Sequence, residues 1–234
     1  MKIAIMQPYF LPYIGYYQMI KIVDKFVVYD NIEFTKKGWI HRNRMLQNGK
    51  DVYFTLPLKR DSDYLDINER SISDSFKTEK NKMLNRVKSN YQKAPYFKNF
   101  YPIVEDIFNY NNTNLFKFIF NSIKQINSFL NIDTEILVSS TLGEDLRQLK
   151  STVKVIEINK RLKSTQYINA IGGRELYSRE IFSSHNIKLQ FIQSKPVEYK
   201  QFNNDFVPWL SILDVLMFNS AEEVNHMLSN YELL

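Results

Sequence analysis

The sequence contains no cysteine and only three histidines. Without cysteine the chain can form no disulfide and no thiolate nucleophile, which fits a reducing compartment, and we expect a cytoplasmic protein. The histidines are isolated from one another and no H-E-x-x-H spacing occurs, so no metal site is expected. The chain also lacks the G-x-S-x-G elbow of hydrolases and the glycine-rich phosphate loop of P-loop enzymes.

Long hydrophobic runs are also missing. No stretch approaches 18 consecutive apolar residues, and the apolar start at residues 3–6 is not followed by a cleavage site, so we expect no membrane span and no signal peptide. Hydrophobic residues nevertheless make up 44% of the chain and aromatic residues 15%. This supply predicts a sizeable core, and the 234 residues fit a single domain over 1–234.

Short apolar runs alternate with helical patterns in a way that indicates the fold. Strands are predicted at 3–6, 26–29, 52–56, 135–139, 166–171 and 188–193. Helices are predicted between the later strands, at 146–163 and 174–185, and this βαβαβ order favours a parallel sheet. The middle of the chain shows no strand-like alternation, and its predicted helices lie at 75–90, 97–110 and 114–130. We therefore predict an α/β fold with a predominantly parallel, Rossmann-like sheet and a helical insert at about 74–130.

The loop after the first strand is unusually rich in aromatic residues and proline. Pro8 and Pro12 fix φ and stiffen it, and Gly15 would let the following helix begin close to a ligand, where free N–H groups attract an anion. The layout resembles the nucleotidylyltransferase-like arrangement, with Tyr16 where that arrangement has a histidine. Gln7 and Tyr9 are the other predicted ligand-binding residues of this loop. Packing of the aromatic rings against the sheet is the alternative interpretation.

The positive charge of the chain is concentrated near its beginning. Residues 1–60 contain ten Lys/Arg and four Asp/Glu, so they carry the whole net charge of +6. The densest cluster runs from Lys36 to Arg44, before a hairpin with its turn at 48–50. Arginine forks suit phosphate and tryptophan suits a flat ring. We predict a diphosphate-bearing small molecule rather than nucleic acid as the partner of Lys36, Lys37, Trp39, Arg42, Asn43 and Arg44. An exposed basic ribbon is the alternative.

Polar residues and glycines follow several predicted strands. Ligands of open α/β sheets bind at the carboxyl ends of the strands. Residues at those ends are therefore candidates for ligand contact: Asp30, Ser140, Asn169, Gly172 and Gly173. A helix cap for Asp30 and an ordinary turn for the two glycines are the alternatives.

Long motifs of the chain resemble the WbqC-like family. They are QPYFLPYIGYYQ at 7–18, DKFVVYD at 24–30, GWIHRNR at 38–44, YINAIGG at 167–173 and LSILD at 210–214. The resemblance covers nearly the whole chain. It implies a function in surface polysaccharide synthesis, such as that of the O-antigen of lipopolysaccharide, by decoration of an amino sugar with an acyl or aminoacyl group.

We therefore predict a transferase or ligase that joins an acyl or aminoacyl group, such as glycyl, to the amine of a nucleotide-linked amino sugar. Its predicted catalytic residues are His41, Asp30 and Gln7, with His41 or Asp30 as the base and Gln7 at the acyl oxygen. The co-reactant, an activated acyl donor or ATP, and the oligomeric state are left open. Two alternatives are a non-catalytic module that binds a nucleotide sugar and an adenylylating enzyme.

Overall fold

The computed structural model describes all residues 1–234, and its centre is a six-stranded sheet. The eight strands along the chain are β1 (Lys2–Met6), β2 (Lys25–Val28), β3 (Arg42–Gln47), β4 (Lys50–Thr55), β5 (Glu135–Val138), β6 (Gln166–Ala170), β7 (Lys188–Ser194) and β8 (Tyr231–Leu233). The large sheet has the order β5-β2-β1-β6-β7-β8. Its first five strands are parallel, and β8 is antiparallel to β7. Counted within this sheet alone, the order is that of a Rossmann domain, which confirms the predicted fold class.

Eight α-helices surround the sheets. They are α1 (Ile14–Lys21), α2 (Phe76–Tyr91), α3 (Phe97–Asn109), α4 (Leu115–Phe129), α5 (Ser151–Arg161), α6 (Arg179–Ser183), α7 (Ile212–Phe218) and α8 (Ala221–Met227). Helices α2, α3 and α4 form the predicted insert, and their bounds differ by a residue from those expected. None of the eight is both long and apolar enough to cross a bilayer.

Two predicted helices are wrong in extent. The pattern over 146–163 predicts one helix, but a 3₁₀ turn at Glu144–Gln148 precedes α5, which begins only at Ser151. Over 174–185 the first residues form a 3₁₀ turn, Ile171–Leu176, and α6 begins at Arg179. Here Tyr177 is extended, which places its ring 5.9 Å from that of Tyr167 in the core. The apolar pattern overstates this helix because apolar residues in it do not all face the core: Leu176 is 70% exposed and Ile181 is 48% exposed.

The sheet is covered on both faces, as parallel sheets require. Successive residues of β1 point to opposite sides: Ala4 belongs to a core of 46 buried residues, and Ile3 and Ile5 belong to a second core of 12. The larger core includes α1, the helical insert and α7. Helices α5 and α6 cover the other face.

The hairpin β3–β4 forms a separate two-stranded sheet. Its turn lies where the sequence predicts it, at residues 48–50. Gln47 pairs with Lys50, so Asn48 and Gly49 form a two-residue loop, with φ of 53° and 72°. Positive φ at both positions defines a type I′ turn, for which Asn-Gly is the favoured sequence. The buried side chains of Met45 and Phe54 join the larger core. The first strand of the hairpin contains residues 42–44, so the hairpin holds the cationic segment Lys36–Arg44 against the body of the protein.

Candidate functional site

The order of the sheet places a topological switch point between β1 and β6. From β1 the chain continues to β2 on one side, and from β6 it continues to β7 on the other. In Rossmann-like folds the ligand crevice lies outside the carboxyl ends of the strands at this point. Here these ends lead into Gln7 and into the turn that contains Gly172 and Gly173.

The aromatic loop after β1 and the Lys36–Arg44 segment are hydrogen-bonded to each other. The Phe10 N–H donates to the Ile40 carbonyl oxygen at 3.0 Å. The Asn43 side-chain amide donates to the carbonyl oxygens of Phe10 at 3.2 Å and Leu11 at 2.9 Å. Both Phe10 and Leu11 are fully buried. Asn43 therefore donates hydrogen bonds to buried carbonyl oxygens that water cannot reach, and the two segments converge as one unit.

This convergence forms a pocket that we call the aromatic cavity. Its volume is about 210 Å³, and it is lined by Tyr9, Pro12, Tyr13, Trp39, Asn43, Arg44 and Trp209. Tyr13 and Trp209 meet edge to face, with their ring centroids 6.0 Å apart. Both tryptophans remain open to solvent: Trp39 is 39% exposed and Trp209 is 55% exposed. An exposed ring can stack on a flat or sugar-like ligand, and Trp209 is the freer of the two because Trp39 already stacks on Tyr53, with 6.0 Å between the ring centroids.

Trp209 is held in an uncommon backbone conformation. Its φ is +59°, in the left-handed region that bulky residues rarely adopt. Its carbonyl oxygen accepts a hydrogen bond from Arg44 Nη2 at 3.1 Å. Backbone strain of this kind persists only where surrounding contacts impose it, and it is common at ligand sites.

A buried carboxylate, Asp214, helps to hold the loop that carries Trp209. Asp214 accepts hydrogen bonds from the hydroxyls of Tyr91 and Tyr199, both at 2.7 Å, and from the Gln201 amide at 2.8 Å. Gln201 also bonds both the N–H and the carbonyl oxygen of Val207. Burial outweighs these three donors and raises the pKa of Asp214 to about 6.

A second, larger cavity adjoins the aromatic cavity. Its volume is about 310 Å³, and Tyr13 and Trp209 line both pockets. It extends to Ser194 at the carboxyl end of β7, past Pro196, Val197 and Phe206. The two pockets therefore form a continuous apolar surface along the carboxyl edge of the sheet.

The two arginines of the predicted cluster are engaged in contacts within the protein. Arg42 donates to the carbonyl oxygens of Gly38 at 3.1 Å and Lys37 at 2.6 Å, and it lies over the Tyr53 ring. Arg44 pairs with Asp51 at 3.0 Å and lies over Trp39, 5.5 Å from its ring centroid. Of the four predicted cations, only Arg44 lines the aromatic cavity, and it is already paired with Asp51.

Lys36 and His41 line a different pocket, which we call the basic cavity. Its volume is about 650 Å³, and its charged or titratable lining residues are Lys36, His41, Lys59, Arg60, Asp61 and Arg70. Burial, followed by the charges of Arg42 and Arg70, lowers the pKa of His41 to about 4. His41 is therefore neutral at pH 7. Its Nδ1 atom is buried and has no hydrogen-bond partner.

Asp30 joins the ends of β2 and β5. Its carboxylate accepts from Ser139 Oγ at 2.8 Å, the Ser140 N–H at 2.9 Å, Ser140 Oγ at 2.6 Å and the Asn68 amide at 2.9 Å. A carboxylate has about four acceptor positions, so all of them are occupied. Asp30 is also only 1% exposed. This geometry supports a structural function rather than proton abstraction from a substrate.

A wholly polar cavity of about 770 Å³ lies beside Asp30. Its walls include Asn31, Asp66, Asn68 and Ser140. Next to it, the buried Lys154 ammonium donates to the carbonyl oxygen of Asn31 at 2.8 Å and to its side-chain oxygen at 3.0 Å. Of the predicted site residues, Ser140 is the one that lines this polar cavity. The wall of the aromatic cavity, by contrast, contains no carboxylate and no imidazole.

The remaining predicted residues do not line the described cavities. Tyr16 is 2% exposed and donates its hydroxyl to the Gln7 carbonyl oxygen at 3.1 Å. A Cβ added to Gly15 would lie 2.4 Å from the Tyr13 ring, so this glycine permits close packing rather than access for an anion. Asn169 donates to the Tyr167 hydroxyl at 2.8 Å and closely contacts the backbone of Gly173. Gly172 and Lys37 are exposed.

Several lining residues are absent from the prediction. They are Tyr13, Lys59, Arg60, Arg70 and Trp209. Tyr13 lies within the predicted loop, and Trp209 follows a proline in the sequence, but neither position marks a ligand contact by itself. Arg70 follows a short 3₁₀ turn at Ile67–Glu69 and has no basic neighbour in the sequence. Only its burial in the fold distinguishes it.

The fold and the cavities define a class: a Rossmann-like α/β protein with an aromatic pocket at the carboxyl edge of its sheet. A model of the WbqC-like protein family matches residues 7–226. The chain therefore belongs to the WbqC-like family, which confirms the resemblance. An uncharacterized protein of Mycobacterium tuberculosis, Rv1507c, is 25% identical to it over 228 residues, which are 97% of each chain. No solved structure matches the chain.

Proposed function

We propose that this protein joins an acyl or aminoacyl group, such as glycyl, to the amine of a nucleotide-linked amino sugar used for surface polysaccharides. The observation that carries the proposal is the aromatic cavity, where the loop after the first strand meets the Trp39–Arg44 segment. Four aromatic side chains, Tyr9, Tyr13, Trp39 and Trp209, line it together with one arginine and one amide. Rings with a few polar groups are the usual lining of a small-molecule site.

In this reaction the amine nitrogen forms a bond to the acyl carbon, and the bond between that carbon and the leaving group of the donor breaks. Gln7 is half-buried at the end of β1, and its side chain makes no hydrogen bond within the protein. Gln7 does not itself line the aromatic cavity, but it lies two positions before Tyr9, which does. We assign its free amide to the developing acyl oxygen, whose charge a hydrogen-bond donor stabilises. Because no base lines the aromatic cavity, the proton of the amine would pass to water or to the leaving group.

The test is incubation of the purified protein with nucleotide-linked amino sugars and activated acyl or aminoacyl donors, with and without ATP. Mass spectrometry would show the sugar nucleotide heavier by one acyl group. Trp209→Ala should abolish or strongly reduce the product, whereas Tyr64→Ala, which removes an exposed ring outside both cavities, should not. Absence of product and of binding for every pair of substrates would refute the proposal.

One observation favours a non-catalytic sugar-nucleotide-binding module as the second candidate. The predicted base Asp30 is fully hydrogen-bonded, and the other, His41, lies in the basic cavity. A binding module would show affinity for nucleotide sugars that Trp209→Ala lowers, with no product under any condition. The adenylylating alternative has no comparable support, because Tyr16 is buried where that chemistry needs an accessible histidine.

A further inference from the structure

Arg70 is a buried cation with too few partners. Its side chain is 4% exposed, and it makes a single hydrogen bond, from Nη2 to the Ser62 carbonyl oxygen at 2.8 Å. Its Nε atom is buried and unpartnered, and the one carboxylate near it, Asp63, is 4.0 Å away and mostly exposed. Removing a guanidinium from water in this way is costly unless an opposite charge compensates it.

The surroundings of Arg70 add positive charge instead of cancelling it. The basic cavity is lined by four cations, Lys36, Lys59, Arg60 and Arg70, and by a single acid, Asp61. Lys36 and Lys59 form exposed ion pairs with Asp63 and Asp74, at 2.6 and 3.3 Å. Exposed pairs of this kind bind weakly and exchange readily with water and ions. The cavity therefore retains an uncompensated positive field.

We propose that the basic cavity is a binding site for a phosphate-type oxyanion, with Arg70 as its anchor and His41 as a hydrogen-bond donor. Arginine matches the planar, multiple acceptors of phosphate better than any other side chain. His41 has an unpartnered buried Nδ1, and its ring packs beside Phe34, over which Arg70 also lies. Burial, followed by the charges of Arg42 and Arg70, lowers the pKa of His41, and a bound anion would raise it.

The basic cavity lies close to the aromatic cavity. The identity of the anion, a diphosphate of a nucleotide-linked sugar, rests on the proposed function. Trp39 lines the aromatic cavity and His41 lines the basic cavity. Two residues separate at most about 7 Å of chain. A diphosphate between a ring-bearing group and a second group could therefore reach both pockets. The cations that hold it would be Lys36, Lys59, Arg60 and Arg70, not the paired Arg42 and Arg44.

The experiment is an NMR titration of the full chain at pH 7 with inorganic phosphate, pyrophosphate and uridine diphosphate. The chain has three histidines, so the His41 ring signals can be followed beside those of His185 and His226 as internal controls. We expect saturable shifts of His41 alone, and a higher apparent pKa of His41 when the anion is bound. No shift of His41 with any of the three probes up to millimolar concentrations would overturn the proposal.

Variants locate the site. Arg70→Gln should weaken binding about 10-fold or more, the scale of a lost charge-assisted contact. Because Arg70 is buried and its loss could unfold the chain, Arg60→Ala provides a second measurement at an exposed position, with an expected weakening of about 3-fold or more. Lys82→Ala removes an equal charge from the exposed face of α2, outside the cavity, and should change affinity less than about 2-fold. Equal effects of Arg60→Ala and Lys82→Ala would contradict the proposed location.

The three probes separate the source of the anion, and the assay separates the two proposals. Tighter binding of uridine diphosphate than of pyrophosphate, lost in Trp39→Ala, indicates a nucleotide diphosphate. Equal affinity for all three indicates free phosphate. Binding at His41 with no acyl transfer to any amino sugar would refute the proposed function and support the anion site. Acyl transfer with no shift of the His41 signals would support the proposed function and refute the anion site.

Discussion

The aromatic cavity and the basic cavity lie on either side of the same segment, Lys36–Arg44, and they use their cations differently. In the aromatic cavity Arg44 has a carboxylate partner, a carbonyl partner and a tryptophan face. The Nε atoms of both arginines are buried and unpartnered, but in the basic cavity Arg70 has a single hydrogen bond, and its nearest carboxylate, Asp63, is 4.0 Å away. A paired arginine stabilises the wall of a pocket, whereas an unpaired, buried one gains most from an arriving anion. The partners of an arginine therefore indicate whether it has a structural function or is available to bind a ligand. The number of positive charges in a segment does not.

The largest expected effect comes from the residue that joins the two segments. Asn43→Ala would leave the buried carbonyl oxygen of Phe10 without a donor and that of Leu11 with only the Ser211 hydroxyl. It would also remove the acceptor of the Arg44 N–H. We expect the free energy of unfolding to fall by about 2–4 kcal/mol. Urea denaturation measures it, with the exposed Asn99→Ala as control, for which we expect a change within about 0.5 kcal/mol. A loss at Asn43 no larger than the control would show that the segments are held together by other contacts.

The support of the aromatic cavity should weaken as pH rises. The pKa of Asp214 is about 6 in the folded chain, against an ordinary value of 3.8. The folded state therefore binds this proton more tightly than the unfolded state, and its contribution is complete below pH 3.8 and lost as pH rises through 6. At ~1.4 kcal/mol per pKa unit, wild type should lose about 3 kcal/mol relative to Asp214→Asn across this range. Denaturation at several pH values checks it, and the exposed Asp133→Asn should show no such difference from wild type.

Ring ligands should depend on the tryptophans of the aromatic cavity alone. Trp209→Ala should weaken binding of a nucleotide-linked sugar about 5- to 150-fold, the effect of losing ~1–3 kcal/mol of stacking. Calorimetry measures the affinity. Tyr64→Ala, which removes a side chain that is 83% exposed, is the matched control and should bind as wild type does. If the tryptophan variant also binds as wild type does, the ring is held elsewhere.

The basic cavity should respond to pH in the opposite direction from Asp214. The pKa of His41 is about 4 in the folded chain, below its ordinary 6.5, so the unfolded state binds this proton more tightly. Its contribution to stability is present above pH 6.5 and is lost as pH falls toward 4. His41→Gln should remove this dependence, while the exposed His185→Gln should keep it. Denaturation of the three proteins between these pH values measures the difference, and a parallel dependence in all three would contradict the burial of His41.

The smallest effect is expected from the cation that the sequence marks most strongly. Arg42 already donates to two carbonyl oxygens of its own segment. Arg42→Ala should therefore change the affinity for pyrophosphate less than about 2-fold, the scale of a screened surface charge. The same titration of the His41 signals measures it. If Arg42→Ala lowers the affinity for pyrophosphate as much as Arg60→Ala does, the hydrogen bonds of Arg42 within the protein do not keep it from binding the anion.

Much of the fold follows from local patterns. The Asn48-Gly49 turn, the apolar strands and the three helices of the insert depend on residues that are neighbours in the sequence. The strand β8 has only three residues, too few for a period, and so it escapes prediction. The candidate site is predicted in part for the same reason: Tyr9, Trp39, Asn43 and Arg44 belong to two compact motifs. The aromatic cavity needs Trp209 as well, and it meets Arg44 across 165 positions of chain.

The sequence by itself determined the kinds of element, their approximate bounds, the family and the presence of an aromatic loop and a cationic segment. These properties depend on spacing and composition, which neighbours in the chain define. Only the tertiary structure decided which cations are neutralised, which polar atoms are buried without a partner and which rings share a pocket. Such properties depend on distances between residues far apart in the chain, and burial changes the free energy of a charge only after the fold has excluded water from it.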